Sequence, residues 1–532
     1  MRPTRSADAS TSCSPSFCNA VISRLRCDLE GRSYSSPNSS DWKPQLPLLE
    51  FGIIGLLCKV IKSFVFGCYH NSLDNTFNKI IIMVDPDFIY TSDQLKQIAE
   101  DTLRYARQKG ASSAAVGVSE GNGLAVSVRK GEIETIEKNR DKGIGVTVFI
   151  GKKRGNATTS DFSLQSLKQT VDAAYNIASF TSEDAAAGLP EADMLERHPM
   201  ELSLYYRWPI GTEEAVELAR RTEAAAFDTD KRITNSEGAS VNVQHSHFIL
   251  ANSEGFVGGY PASSHSFSVA PIAMSGGNMQ RDYWYTASRD PDRLKSPEEV
   301  GQRAARRALA RLDARQIGTR KCPVLFEAPV AIGLLNSFVY AISGGALYRK
   351  SSFLVDSLGR QVFPEHIGLL EDAHVKGAMG SAPFDDEGVR TGRRQIVENG
   401  RVCGYFLSTY SARKLGMQTT GNAGGSHNLV LSSSLTGAGD DFDAMLKKMG
   451  TGLVVTELMG QGINYVTGDY SRGASGFWVE NGVIRYPVQE ITVAGNLKDM
   501  FAHIVAVGDD TLIRGAKQSG SILIEEMTVA GV

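Results

Sequence analysis

The segment Met449–Gly482 reads MGTGLVVTELMGQGINYVTGDYSRGASGFWVENG, and it sets the reading of the last third of the chain. GLVVTEL (452–458) is an apolar, β-branched run between glycines, the pattern of a buried strand. FWVENGVIRYPVQEITVAG (477–495) holds two more such runs, joined by Asn481-Gly482, a pair that tolerates the positive φ of a two-residue hairpin. Over 460–482, glycines are spread among Asp469, Arg472, two tyrosines and Trp478, with no His and no Cys. Such a stretch looks like the wall of an active site, so Gly460, Gly462, Asp469, Tyr470, Ser471, Arg472 and Gly473 are expected to line a groove. It offers no soft metal ligand and no nucleophile beside a base.

Outward from this segment the same β pattern continues. Asn399-Gly400 signals a second hairpin, and CPVLFEA (322–328) and SILIEEMTVAG (521–531) read as strands. A helix is expected at 329–342, ended by Gly344-Gly345. Residues 320–532 thus form a glycine-rich, mostly β domain. Upstream, 83–200 reads as an α+β domain. Ser92 is expected to cap a helix over 93–109, with Leu95, Ile98, Ala99, Thr102 and Ala106 on one stripe. Strands follow at AAVGVSE (114–120), LAVSVRKGEIETIEKN (124–139) and GIGVTVFIGKKRGNATT (143–159), then a helix over 164–180. The central part, 205–318, starts with a helix over 213–227. Asn-Ser-Glu-Gly then occurs twice, at 235–238 and 252–255, and reads as two turns of one meander. Ser296-Pro297-Glu298-Glu299 opens another helix with an N-cap, an N1 proline and a capping-box glutamate. Its Arg303, Arg306, Arg307 and Arg311 read as a solvated or partner-facing side. The whole is an α+β chain of three domains.

Composition narrows the function classes. The 532 residues carry a formal net charge of -3, so no basic surplus points to nucleic acid or to an acidic membrane surface. Five of the seven cysteines precede Met83; Cys322 and Cys403, alone in the body, read as buried thiols of a cytoplasmic protein rather than a disulfide. Residues 1–82 differ in character: Ser, Pro and Cys dominate to 45, and the apolar run 47–69 is broken by Glu50, Lys59 and Lys62. It fits neither a membrane helix nor a signal peptide. The expectation is a disordered leader or a mis-assigned start, with Met83 as the natural first residue.

No self-evident catalytic group emerges. His245, His247 and His265 could share a strand face and hold zinc, although an exposed polar strand gives the same pattern. Glu365, His366, Glu371, Asp372 and His374 have ligand chemistry without ligand spacing, and read as a polar loop. There is no nucleophile elbow, dinucleotide loop or phosphate loop.

Longer blocks are distinctive: SLGRQVFPEH (357–366), APFDDEGVRT (382–391), TYSARKLG (409–416), TGNAGGSHN (420–428), the segment 449–482 and AGNLKDM (494–500). Together they resemble the TldD/PmbA family of metallopeptidases, on its PmbA side, over about 83–532. The resemblance implies a cytosolic peptidase complex in which a TldD-like and a PmbA-like subunit pair as a heterodimer and process unfolded peptides, such as peptide-antibiotic precursors and antitoxins. In TldD-like chains a helix with His-Glu-x-x-x-His and a late Cys hold the zinc. Here Asn336, Ser337 and Ala341 stand at the helix positions and Ser519 near the Cys. The resemblance therefore implies no metal bound by this chain and zinc on the TldD-like partner, without nucleic acid or membrane as partners. Two other readings stay open: a self-sufficient peptidase using His366, Glu371 and His374, and a non-enzymatic binding protein in line with an older gyrase-modulator label.

Overall fold

Thr91, not Ser92, caps the first helix of the computed structural model, which describes residues 87–531. The Thr91 hydroxyl accepts from the Gln94 amide at 3.2 Å and the Gln94 side chain accepts from the Thr91 amide at 2.8 Å. This reciprocal box satisfies two otherwise unpaired donors. Helix α1 (Ser92–Gln108) buries Leu95, Ala99, Thr102 and Ala106, the stripe expected from the sequence. The leader at 1–82 lies outside the described residues.

Strand β1 (Ser113–Arg129) runs unbroken through Gly121 and Gly123, where the sequence reads as two strands. The turn falls later, at Lys130-Gly131, both with positive φ (53° and 77°). Gly123 is not a turn residue but a gap: a Cβ there would sit 2.4 Å from Asn139 Oδ1 and Gln244 Nε2. Strands β2 (Glu132–Ile150) and β3 (Lys153–Thr159) and helix α2 (Leu164–Phe180) complete this part. The central part contains α3 (Thr212–Phe227), β4 (Ile233–Asn252), β5 (Val257–Gly258), β6 (Pro261–Ser275), β7 (Asn278–Arg281), β8 (Trp284–Ser288) and α4 (Pro297–Ala310).

These two parts share one sheet, ordered β3-β2-β1-β4-β6-β7, with β5 on β4 and β8 on β6. β1 pairs antiparallel with β4 from Ala115↔Asn252 to Val128↔Ala239. The boundary expected near residue 200 therefore divides the helices and not the sheet. On one face α1 and α2 cover Val116, Val118, Ile249 and Ala251. Farther along, α3 and α4 cover Leu124, Val126, Val128, Val241 and Val243. Of the repeated Asn-Ser-Glu-Gly, only 252–255 is a turn. The first copy is a bulge inside β4, where the register shifts between Ser236 and Ala239 and Gly238 takes φ +113°. A bulge and a turn both need an extra residue and a left-handed glycine, so the sequence does not separate them.

The C-terminal part has β9 (Arg320–Phe326), α5 (Ala328–Ala341), α6 (Gly344–Tyr348), β10 (Ile367–Asp372), β11 (Arg393–Glu398), β12 (Arg401–Val402) and α7 (Thr409–Leu415). Then come β13 (Asn428–Ser433), α8 (Phe442–Met449), β14 (Gly452–Met459), β15 (Asp469–Glu480), β16 (Val483–Asn496) and α9 (Leu497–Ala502). It ends with β17 (Ile504–Val507), β18 (Leu512–Arg514), β19 (Lys517–Ser519) and β20 (Ile522–Ala530). One sheet is ordered β12-β11-β10-β13-β19-β18 and the other β16-β15-β14-β9-β20-β17. The second closes on itself because β16 also pairs with β20. Both Asn-Gly hairpins form with positive φ at each residue. Helix α5 lies in the large core with residues from both sheets, which explains its apolar character nearly all round. Gly344-Gly345 opens α6 rather than only ending α5; a Cβ on Gly344 would meet Ser411 Oγ at 2.2 Å. Cys322 and Cys403 are free thiols, but only Cys322 is buried. No helix among the described residues is long and apolar enough to cross a membrane.

The arginines of α4 and its C-cap correct part of another expectation, since two of the four, Arg307 and Arg311, face inward. Arg307 pairs with Glu327 (2.6 Å) and Asp282 (3.3 Å). Arg311 reaches Asp282 at 3.6 Å and binds Glu457 of β14. Arg303 lies over the Trp284 ring at 3.8 Å, with Arg514 on the same ring at 4.4 Å. Arg303 and Arg306 stay exposed, Arg306 reaching Gln302.

At the opposite junction, Asp184 accepts from Tyr410 (2.7 Å) and Lys414 (2.8 Å). The Lys414 bond first, then the Tyr410 bond, lowers its carboxyl to about 2. A carboxyl depressed in the folded state stabilises above its unfolded pKa of about 3.9 and loses that contribution as pH falls toward about 2. Asp184→Asn is therefore expected to lower the urea midpoint at pH 6 and to leave it unchanged near pH 2. The pair is a third exposed, so the shift will be small.

Candidate functional site

The loop between β14 and β15 is tied down by its own backbone. Gly468 N donates to Asn464 O, Asn464 N to Asp469 O and Ser471 N to Gly462 O, at 2.7, 2.8 and 2.7 Å. A Cβ on Gly462 would lie 1.8 Å from Ser471 O, so only glycine fits this crossing. Tyr465, at the loop centre, packs against Tyr340 of α5 with the rings tilted by 41° and their centroids 4.1 Å apart. Its carbonyl accepts from Phe353 N at 2.7 Å. The glycine-rich wall and α5 are thereby one structure.

Of the seven residues expected to line a groove, Gly460 and Gly462 lie exposed in the loop before β15 and the other five divide between the two faces of β15. Gly460, Asp469 and Ser471 are exposed, whereas Tyr470 points into the core and Arg472 and Gly473 are half-buried. Asp469 accepts from Thr467 Oγ1 (2.6 Å) and Asn496 Nδ2 (3.1 Å), which hold its carboxyl below the usual range. Burial pushes the Tyr470 phenol up to about 12, so it remains a hydroxyl donor. β15 is paired along both edges, to β14 and β16, and offers no edge to a peptide. β14 does: β9 pairs with it only as far as Phe326↔Val455, and Glu457–Met459 pair with β15 alone among the described residues.

Asn336 and Tyr340, one turn apart, form the exposed side of α5. Ser337 is buried, with its hydroxyl donating to Gly333 O at 3.0 Å. Ala341 is buried. Ser519 of β19 is buried too and donates to Gly520 O at 2.8 Å. α5 packs against β14, β18 and β19, so the fold brings these positions, far apart in sequence, onto neighbouring elements.

His366, Glu371 and His374 have separate structural duties. The His366 ring nitrogens meet Ser433 Oγ (2.9 Å) and Ile504 O (3.0 Å). His374 Nε2 meets Thr391 Oγ1 at 3.1 Å. Glu371 is not in a loop but at the end of β10, fully buried. One oxygen accepts from Arg394 at 2.6 and 3.0 Å, the other from Asn422 Nδ2 (2.9 Å) and His427 N (2.8 Å). Asp385 accepts from the amides of Glu387, Val389 and Ala423, each at 2.9 Å, and burial raises its carboxyl well above the usual range. APFDDEGVRT and TGNAGGSHN are thus two loops clamped by buried carboxylates, a role that sequence reasoning missed although both blocks stood out. His245, His247 and His265 are buried, not on an exposed strand. His247 meets Glu120 at 3.3 Å, His265 meets Tyr206 O at 2.9 Å, and His245 accepts from Trp208 N at 3.3 Å. Among the described residues, no three His, Cys, Asp or Glu side chains are placed to hold a metal ion.

Comparison with known proteins aligns most of the chain. Residues 114–178, 205–312 and 319–531 match the models of PmbA/TldA metallopeptidase domain 1, central domain and C-terminal domain. The Metalloprotease PmbA of Escherichia coli O157:H7 is 48% identical over 437 residues, 82% of this chain and 96% of that protein. A Metalloprotease PmbA homolog of Haemophilus influenzae is 46% identical over 438 residues, with the same coverages. Among solved structures, a Bacteroides thetaiotaomicron protein labelled as a modulator of DNA gyrase superposes with a TM-score of 0.78 at 25% identity, covering 83% of this chain and all of that one. TldE from Thermococcus kodakarensis shares the fold, with a TM-score of 0.69 at 20% identity over 82% of this chain and all of that one.

Proposed function

The chain belongs to the PmbA/TldD metallopeptidase family, and from that premise we propose that it is the PmbA-type half of a two-subunit cytosolic peptidase. It captures unfolded peptides, while a TldD-like partner supplies the zinc and the general base. The observation that carries this reading is the donor set of α5 and β19. Asn336 offers a neutral oxygen, Ser337 and Ser519 have their hydroxyls committed to backbone carbonyls, and Ala341 offers nothing. Zinc in a peptidase needs three firm ligands and an open water position; these residues do not fit it. The unpaired edge at Glu457–Met459 supports a role in peptide capture, because strand addition needs only backbone partners and tolerates varied side chains.

Mixing tests the proposal. Alone, the purified chain is expected to hold no stoichiometric zinc and to leave an unfolded peptide intact. With a TldD-like subunit it should form a heterodimer that hydrolyses the peptide, and Asn336→Ala should leave that activity within about twofold, since the side chain is exposed and bears no charge. Stoichiometric zinc with chelator-sensitive cleavage by the lone chain would overturn it. Full activity of the TldD-like subunit without this chain would do the same.

A further inference from the structure

A row of cations stands where the central and C-terminal parts meet: Arg303, Arg514 and Lys517. Arg303 of α4 lies 3.8 Å from the centre of the Trp284 ring and Arg514 of β18 lies 4.4 Å from it, with Arg514 also 3.7 Å from Tyr285. Lys517 is directly opposite Arg514 in the β18–β19 pair, so the two side chains share a face of the sheet. On its other side Lys517 is level with Leu429 of β13, which enters the core with Leu334, Leu335 and Phe338 of α5. The row thus runs from α4 over Trp284 to the part of the sheet that packs on α5. Among the described residues none of these cations forms an ion pair, and their one hydrogen bond runs from Arg514 Nη1 to Tyr285 O at 3.1 Å.

The nearby carboxylates are already engaged. Glu327 is held by Arg307, and Asp282 by Arg307 and Arg311. Desolvation is the main cause that lowers Arg514 and Lys517 from their ordinary ranges. Desolvation, and after it the charges of Arg307 and Arg514, lower the Arg303 guanidinium against the pull of Glu327. Like charges set side by side in such a place disfavour one another. Their donors stay open: Arg303 is exposed, and the unbonded nitrogens of Arg514 and Lys517 are not sealed from solvent. A guanidinium stacked by its face keeps its N–H edge free and fixed in direction, so less is lost when an oxyanion binds. In a chain of net charge -3, this local surplus of positive charge suits an anionic ligand.

We infer that Arg303, Arg514 and Lys517 bind acidic side chains of a captured peptide, so that the complex favours peptides carrying a run of Asp or Glu. A row of cations matches several carboxylates spaced along an extended chain, whereas a single C-terminal carboxylate meets only part of it. This deepens the proposed function and rests on its peptide-capture reading.

The test is direct binding. Peptides with amidated C-termini and a neutral fluorophore, one rich in Glu and one with every Glu replaced by Gln, are titrated with the full chain in complex with a TldD-like subunit. Chelator is present to stop turnover, and anisotropy is read. The Glu peptide is expected to bind about tenfold more tightly, a preference that shrinks with added salt. Arg303→Gln and Lys517→Gln should each reduce that preference severalfold and leave the affinity for the Gln peptide unchanged, which a loss of fold would not do. A Gln peptide with a free C-terminus is the third arm, and an equal gain from that one carboxylate would overturn the assignment to acidic side chains. Equal affinity for the Glu and Gln peptides, or an undiminished preference in both variants, would overturn the inference while leaving peptide capture standing. No binding of any peptide would remove both.

Discussion

Glu371→Gln is expected to destabilise the C-terminal part by about 3–5 kcal/mol, the usual consequence of removing one partner of a buried ion pair. Glu371 is fully buried and accepts four hydrogen bonds, two from Arg394 and one each from Asn422 and the His427 amide. A glutamine can present only one oxygen to these donors. Its NH2 would face another donor and leave the Arg394 charge without compensation. The urea midpoint is the measurement, with peptide hydrolysis in the mixed complex read below that midpoint. A catalytic Glu371 would show the reverse pattern, an unchanged midpoint with activity lost; that outcome would revive the self-sufficient reading built on His366, Glu371 and His374.

The second large effect lies at the junction of α4 and β14. Arg311→Met is expected to cost on the order of 3 kcal/mol, because it leaves Asp282 with Arg307 alone and takes from Glu457 its short ion pair at the root of the loop that carries Tyr465. Hydrogen exchange of amides 457–468 should accelerate in the same variant. Arg306→Met, on the same helix but facing water, should change stability by no more than about 0.5 kcal/mol. If the two variants behave alike, the junction is not held by these charges.

These two arginines also show where sequence reading stops. Five residues separate them, close enough to one turn and a half that both read as surface charges on an amphipathic helix. The carboxylate partners of Arg311 come from the β7–β8 connection and from β14, across 29 and 146 positions of sequence, and no local pattern carries such distances. Local signals did carry through: the 164–180 helix, the Ser296 N-cap and both Asn-Gly hairpins formed as read, because each depends on neighbours within a few residues. The first cap moved by one residue because Thr91 and Ser92 are both good caps and only Thr91 has its Gln94 partner three positions on. The site is legible to a similar degree. Its glycines mark the loop crossings, as at Gly462, but alternation along β15 places Tyr470 and Arg472 on the inner face and Asp469 and Ser471 on the outer. The sequence lists those residues side by side; the pleat separates them.

The sheet shared by β1 and β4 has a consequence for synthesis. The edge of β1 from Ala115 to Val128 is covered only by residues 239–252. Made at about 5–20 residues per second, the roughly 110 intervening residues leave that edge without its partner for several seconds or more. During that time a nascent chain presents a long strand edge to any other chain on the same message, the geometry that favours wrong pairing. The middle of β1 reads Ser119-Glu120-Gly121-Asn122-Gly123, a charge and two glycines among small polar residues, which makes poor cross-β contacts. What interrupts the apolar pattern in the finished sheet also guards it while it is half made.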